Sequence, residues 1–302
     1  MTSEKYAISR CAPDAQADAL RLLHAGLPED QQTALVHALD ALRGQSAEAL
    51  SGLLVARDAQ GLAGVAWAQL TPGKTAVLWP PAAESPAAVD LMRAIATFLS
   101  RQGVVLAQAL AAPGATLDRD LLAAGEFQKL VELAYLTVDC QHFPAAQPQS
   151  ELQFQSHANQ QPDRLGRLLE RTYKDSLDCP ELNGVRNVAD VLTGYAAQGN
   201  FAAERWFFVR DDRQDLGVLI LTEHSAQENW ELVYMGVVPE ARGRGFGGQI
   251  VQFALWQARR AGAQRVVLAV DQTNQPALSM YGRAGFVVWD RRTVYARLRP
   301  EA

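Results

Sequence analysis

Residues 242–248 read Arg-Gly-Arg-Gly-Phe-Gly-Gly, an order suited to gripping a large anion. The apolar run Leu232–Val238 reads as a buried strand and stops at Pro239, which cannot donate to a sheet ladder. From Gly247, apolar residues at 250, 251, 254, 255 and 258 fall at helical spacing, and Gly262 supplies a stop. A glycine-rich loop therefore joins a strand to a helix N-terminus, where unpaired N–H groups and the positive end of the helix dipole converge. Gly243, Gly245, Gly247 and Gly248 let a bulky group approach the backbone, while Arg242 and Arg244 add charge shaped for phosphate oxygens. The chemistry expected is pyrophosphate binding. A Walker A loop is excluded because no Gly-Lys-Ser/Thr follows. The spacing GxGxxG is met by Gly243, Gly245 and Gly248, with Asp271 after the next strand. A dinucleotide fold needs several more strands than the roughly 30 residues after Asp271 can make. A tight structural turn stays open as the bland alternative.

A second motif follows. Asn274, Ala277, Tyr281, Gly285 and Phe286 fit Asn-x-x-Ala-x-x-x-Tyr-x-x-x-Gly-Phe. Asn274 can cap a helix, Pro276 suits its first turn, and Gly285 ends it. Together with Arg-x-x-Gly-x-Gly at Arg242, Gly245 and Gly247, this order resembles the GNAT acetyltransferase superfamily over about 205–298. The resemblance implies acetyl-CoA as co-substrate, its pyrophosphate on the loop from Arg242 to Gly248, and contacts from Asn274 and Tyr281. It also implies that the backbone of Val237 and Val238 holds the cofactor and polarises the acetyl carbonyl.

Acetyl transfer to an amine requires a base for the amine and a proton for the departing thiolate. Tyr281 stands where the family places its proton donor. Glu231, 11 residues before Arg242, stands where some members carry a glutamate base; a solvated edge carboxylate is the alternative. Within the loop after the first helix of this half, Asp175, Asp178 and Glu181 could hold a cationic amine, or could simply form an acidic surface. Cys179 reads as a small buried residue.

The elements that must position these groups recur. Helices are predicted at Pro13–Leu23 and Glu29–Leu42, then strands at Leu53–Arg57, Ala63–Leu70 and Thr75–Trp79. A helix from Pro86 to Arg101, a strand Val104–Ala109, a helix Leu117–Ala124 and a strand Leu130–Val138 close the first half. The second half repeats the order: helices Asp163–Ser176 and Val188–Ala197, strands Trp206–Arg210, Leu216–Thr222 and Trp230–Val238, the glycine loop and its helix, a strand at 265–270, the Asn274 helix, and a strand Phe286–Leu298. Expected is an α+β fold of two tandem GNAT-like domains, each a mixed, mostly antiparallel sheet flanked by helices. The first spans 1–140, a linker rich in polar and small residues 141–150, and the catalytic domain 151–302. The first copy reads as degenerate and structural. Its counterpart loop, Pro80-Pro-Ala-Ala-Glu-Ser85, has no glycine or arginine, and Leu121 stands four residues before Gly125 where a tyrosine is expected.

The composition fits this reading. A 48% apolar and 20% charged chain supports a sizeable core, and a net charge of −5 argues against nucleic acid. Three cysteines (Cys11, Cys140, Cys179) without a CxxC suggest reduced thiols, and the five histidines lack metal-ligand spacing, so no metal is expected. No signal peptide or membrane span is read, which predicts a cytoplasmic protein that acts on a small-molecule amine. A protein N-terminus as acceptor, or a non-catalytic acyl-CoA sensor, stays open.

Overall fold

The computed structural model describes residues 6–42, 47–113, 118–158 and 161–299. In chain order come β1 (Ala7–Arg10), α1 (Gln16–Gly26), α2 (Glu29–Ala41), β2 (Leu53–Asp58), β3 (Gly61–Thr71), β4 (Thr75–Trp79), α3 (Ala88–Arg101), β5 (Leu106–Ala111), α4 (Arg119–Ala124) and β6 (Gln128–Asp139). There follow β7 (Gln153–Ser156), α5 (Pro162–Tyr173), α6 (Val188–Ala196), β8 (Trp206–Arg210), β9 (Asp215–His224), β10 (Asn229–Val237), α7 (Phe246–Arg260), β11 (Arg265–Asp271), α8 (Gln275–Arg283) and β12 (Val287–Leu298). Leu117, the predicted start of α4, lies outside the described residues; Asp118 caps that helix, its side chain accepting from the N–H groups of Asp120 and Leu121. Strands β1 and β7 were not expected. Each has four residues, mostly polar or partly exposed, so neither gives an apolar run or a clean alternation. No described helix is long and apolar enough to cross a membrane.

The chain forms two compact units, Met1–Leu130 with Thr293–Ala302, and Val131–Arg292. In the first, strands β1 to β4 pair antiparallel in sequence order, and β4 meets β5 in parallel over Thr75–Val77. The other side of β5 pairs antiparallel with Thr293–Leu298 of β12. Residues Leu53–Ala56 are buried without alternation, as expected where helices cover both faces of a sheet. Leu91, Met92, Ile95 and Leu99 of α3 fill one core; stacked Trp67 and Trp79 join Leu23 and Leu35 in another.

In the second unit the order is β6-β11-β10-β9-β8-β7. Strand β6 pairs antiparallel with all of β11, from Arg265↔Asp139 to Asp271↔Leu133. The compact units thus part from the expected 1–140 and 151–302: most of β6 falls in the second unit because its ladder is with β11, and the end of β12 falls in the first because its ladder is with β5. Nor is the predicted linker free. Phe143 is buried in the second core, and its carbonyl accepts from Arg259 Nη1 at 3.3 Å.

Candidate active site

The site begins where two parallel strands part. Strands β10 and β11 pair only through Asn229–Glu231 and Arg265–Val267. Beyond that, β10 stays with β9 through a bulge between Leu232 and Tyr234, while β11 stays with β6. The opened gap is a cleft of about 1080 Å3, its walls including Leu232–Val237 of β10 and Ala269 and Val270 of β11. Its remaining walls come from the end of α5, the segment before α6, the start of α7, and α8.

The anion-binding end is built as the glycines predict, with one correction. Gly243 and Gly245 have φ of 77° and 79°, a left-handed backbone that a side chain would strain. Gly245 is the N-cap of the 15-residue α7 and offers no side-chain cap. The N–H groups of Gly243 to Gly248 meet no backbone acceptor among the described residues, leaving the dipole end of α7 open to an anion. Gly247 serves packing as well as access: a Cβ there would come within 2.6 Å of Met280 Sδ on α8.

Arg242 is not a free phosphate ligand. Its Nε donates to Val237 O (3.0 Å), Nη1 to Asp175 O (2.7 Å), and Nη2 to Thr172 O (2.9 Å) and Lys174 O (2.7 Å). Thr172, Lys174 and Asp175 lie at and just past the end of α5, where carbonyls are left orphaned, and a guanidinium there also answers the negative end of the helix dipole. The residue read from sequence as an anion ligand is a cap that ties α5 to the end of β10. Arg242 lines the cleft, and Arg244 stands outside its lining with no hydrogen-bond partner among the described residues. It is exposed, with its guanidinium carbon 4.4 Å from the centroid of the Phe246 ring, itself buried.

The two valines differ as well. The N–H of Val238 donates to Leu216 O at 2.9 Å and is spent in the sheet. Antiparallel alternation turns the N–H of Val237 away from β9, toward the gap. Of the two valines, Val237 is the one with a backbone donor to offer there.

Tyr281, on α8, lines the cleft and is 6% exposed, its ring edge-on to Phe286. No hydrogen bond engages its hydroxyl among the described residues. Burial first, and then the charge of Asp178, push its pKa above the usual phenol value, so it keeps its proton at neutral pH. Asn274 caps α8, its Oδ1 accepting from Ala277 N at 3.3 Å, and lines the cleft.

Of the three acidic candidates, Asp175 and Asp178 line the cleft and Glu181 does not. Asp178 is exposed as a residue, yet its Oδ1 accepts from the N–H of buried Asp271 at 2.9 Å. Loss of solvent around that carboxyl raises its pKa, more than the hydrogen bond lowers it. Glu231 sits at the last paired position before the strands part, and the cleft wall starts one residue later at Leu232. Glu231 is not brought into the wall with Tyr281; its Oε2 lies 2.7 Å from His224 Nε2.

Sequence reasoning did not assemble the remaining wall. Tyr173 of α5, Tyr195 of α6 and Tyr234 of β10 form a ring cluster with centroids 5.5–5.8 Å apart. Tyr234 Oη lies 2.7 Å from Thr172 Oγ1, and the hydroxyls of Tyr173 and Tyr195 are 3.3 Å apart. Arg186 lines the cleft beside them. These residues lie on separate elements, so no local spacing announces them.

Residues 169–286 match the acetyltransferase (GNAT) family. Mycothiol acetyltransferase of Corynebacterium glutamicum (strain R) is 33% identical over 90 residues, 30% of this chain and 30% of that protein. That of Thermobifida fusca (strain YX) is 30% identical over 103 residues, 34% of this chain and 30% of its own length. The matches thus span about 30% of the curated relatives' length. Among solved structures, a GCN5-related N-acetyltransferase from Sphaerobacter thermophilus superposes with a TM-score of 0.64 at 15% identity, covering 100% of this chain and 98% of that one. A tandem GNAT protein from the clavulanic acid biosynthesis pathway gives 0.51 at 13% identity, covering 98% and 100%. At these identities the likeness is one of fold.

Proposed function

With residues 169–286 belonging to the GNAT acetyltransferases, we propose that this protein moves an acetyl group from acetyl-CoA to a primary amine of a small molecule by direct attack. The observation that carries the reading is the run of open N–H groups from Gly243 to Gly248, at the mouth of a cleft whose wall holds Tyr281. The residues present fit the cofactor. The start of α7 and Arg244 suit a pyrophosphate, and the free N–H of Val237 suits the chain beyond it. The name of the matched relatives points to small-molecule acetylation.

Acetyl-CoA supplies the thioester: the amine nitrogen bonds to the carbonyl carbon as the carbon–sulfur bond breaks, and the sulfur leaves as a thiolate. Tyr281 donates toward that sulfur. Its pKa lies above that of an ordinary thiol, about 8.5, so full loss of its proton is uphill. Its contribution is a hydrogen bond that strengthens as negative charge develops. The amine must shed a proton, and Glu231, held by His224, takes it through solvent at the point where β10 and β11 separate.

The test is release of free CoA from acetyl-CoA with a panel of amines, alongside acetyl-CoA binding by calorimetry. Binding with no turnover on any amine or peptide N-terminus would make the protein an acyl-CoA sensor. Absence of binding would remove the reading altogether.

A further inference from the structure

The cleft wall carries a second recognition feature. Arg186 lies in the segment between α5 and α6, is partly buried, and lines the cleft. Among the described residues no carboxylate, carbonyl or hydroxyl engages its guanidinium. The contrast with Arg242, Arg164 and Arg205 is direct: each of those is committed to carbonyls or carboxylates of its own unit. A guanidinium in a cleft wall with no protein partner is available for a forked contact with an anion.

Around it, Tyr173 and Tyr195 are close enough for the Arg186 charge to favour their ionised forms. The Tyr195 ring stacks on Tyr234. Asp178 also lines the cleft, and its charge reaches Tyr195, Tyr234 and the proposed proton donor Tyr281. The cleft wall therefore holds a cation, an aromatic cluster and a carboxyl.

We infer that the acceptor is an amine that also carries an anionic group, carboxylate or phosphate. Arg186 takes the anion by a forked contact, and Asp178 orients the ammonium toward the site of transfer. The inference rests on the acetyltransferase reading for the identity of the amine end, but Arg186 is a binding determinant that can be read without turnover.

The experiment uses the full chain loaded with CoA, and amines in matched pairs that differ only in the anionic group: tyrosine against tyramine, serine against ethanolamine, and serine against phosphoserine to separate carboxylate from phosphate. Affinity is measured by calorimetry for wild type, Arg186→Gln and Arg186→Lys; CoA release is measured in parallel. Wild type is expected to bind an anion-bearing member roughly 10–100-fold tighter than its neutral partner, the range of a charge-assisted contact. Arg186→Gln is expected to erase that preference while leaving acetyl-CoA affinity unchanged, and Arg186→Lys to restore part of it. Equal affinities within every pair in wild type, or a preference that survives Arg186→Gln, overturns the inference. So does a loss confined to acetyl-CoA affinity, which would assign Arg186 to the cofactor. Selective binding without any CoA release would sustain the anion site while removing the transferase reading.

Discussion

Two arginines two residues apart do different work, and their substitutions should separate it. Arg242 satisfies four carbonyls; lysine has no planar fork and leaves some of them unpaired. Arg242→Lys is expected to cost about 2–4 kcal/mol of stability, read as a lower denaturation midpoint. Arg244→Ala should leave that midpoint in place and weaken acetyl-CoA binding by roughly 3–10-fold, the scale of one exposed charge contact. An unchanged midpoint in the first variant would mean the cap is dispensable. For Tyr281→Phe the ring and its packing on Phe286 remain, so affinity should hold while the single-turnover rate falls roughly 10²–10³-fold; a wild-type rate would exclude this hydroxyl from the chemistry. Cys179 lines the same cleft with its thiol pushed up to about 12, first by burial and then by Asp178, Asp271 and Glu181. A higher folded pKa means less thiolate at pH 8, so iodoacetamide should label Cys179 at least about 10²-fold more slowly than free cysteine. The rate should climb with pH throughout the range from 8 to 11. Comparable labelling at pH 8, followed by mass spectrometry, would contradict that environment. At this scale the sequence conveyed residue types well and partners poorly. Arg242 looks like an anion ligand until the orphan carbonyls of α5, some 70 residues away, claim it.

The elements around the glycine loop have counterparts in the first unit, and the comparison predicts stoichiometry. Strands β4 and β5 pair in parallel and α3 connects them, as α7 connects β10 and β11. The connecting loop is closed on itself, however. Ser85 Oγ donates to Ala63 O at 2.9 Å and accepts from Ala87 N at 3.3 Å, and Ala88 N donates back to Ser85 O. That delays α3 to Ala88, two residues past the Pro86 start read from sequence, and fills the donors an anion would use. Calorimetry should therefore find one acetyl-CoA site per chain; two sites of equal affinity would show the first loop to be competent. Element types were legible wherever apolar periodicity was long, as in α3, α7 and the central strands. The edge strands β1 and β7 were not, because four partly exposed residues carry no periodic signal. The parting of β10 from β11 was equally silent. It depends on register and on a bulge, neither of which leaves a compositional mark.

On the scale of the whole molecule, strand pairing decides where the chain can be divided. A piece comprising 151–302 lacks β6 and exposes the β11 edge along Arg265–Asp271, an invitation to edge-to-edge association. A piece comprising 128–292 keeps that ladder. The first is expected to be insoluble or aggregated and the second a soluble monomer, by size-exclusion chromatography and near-UV circular dichroism. Equal behaviour would mean that β6 contributes little. The tandem organisation was legible from repeated element order; the traded strands were not, since β6 and β12 read alike as the closing strand of their own half. That trade sets a timetable for synthesis. On the ribosome, β5 is complete at Ala111, but its antiparallel neighbour begins at Thr293, 293 − 111 = 182 residues later. At usual elongation rates the interval is about 10–40 s. Throughout it the nascent first unit carries an open strand edge, so the emerging polypeptide has a built-in need for shielding that the finished protein no longer displays.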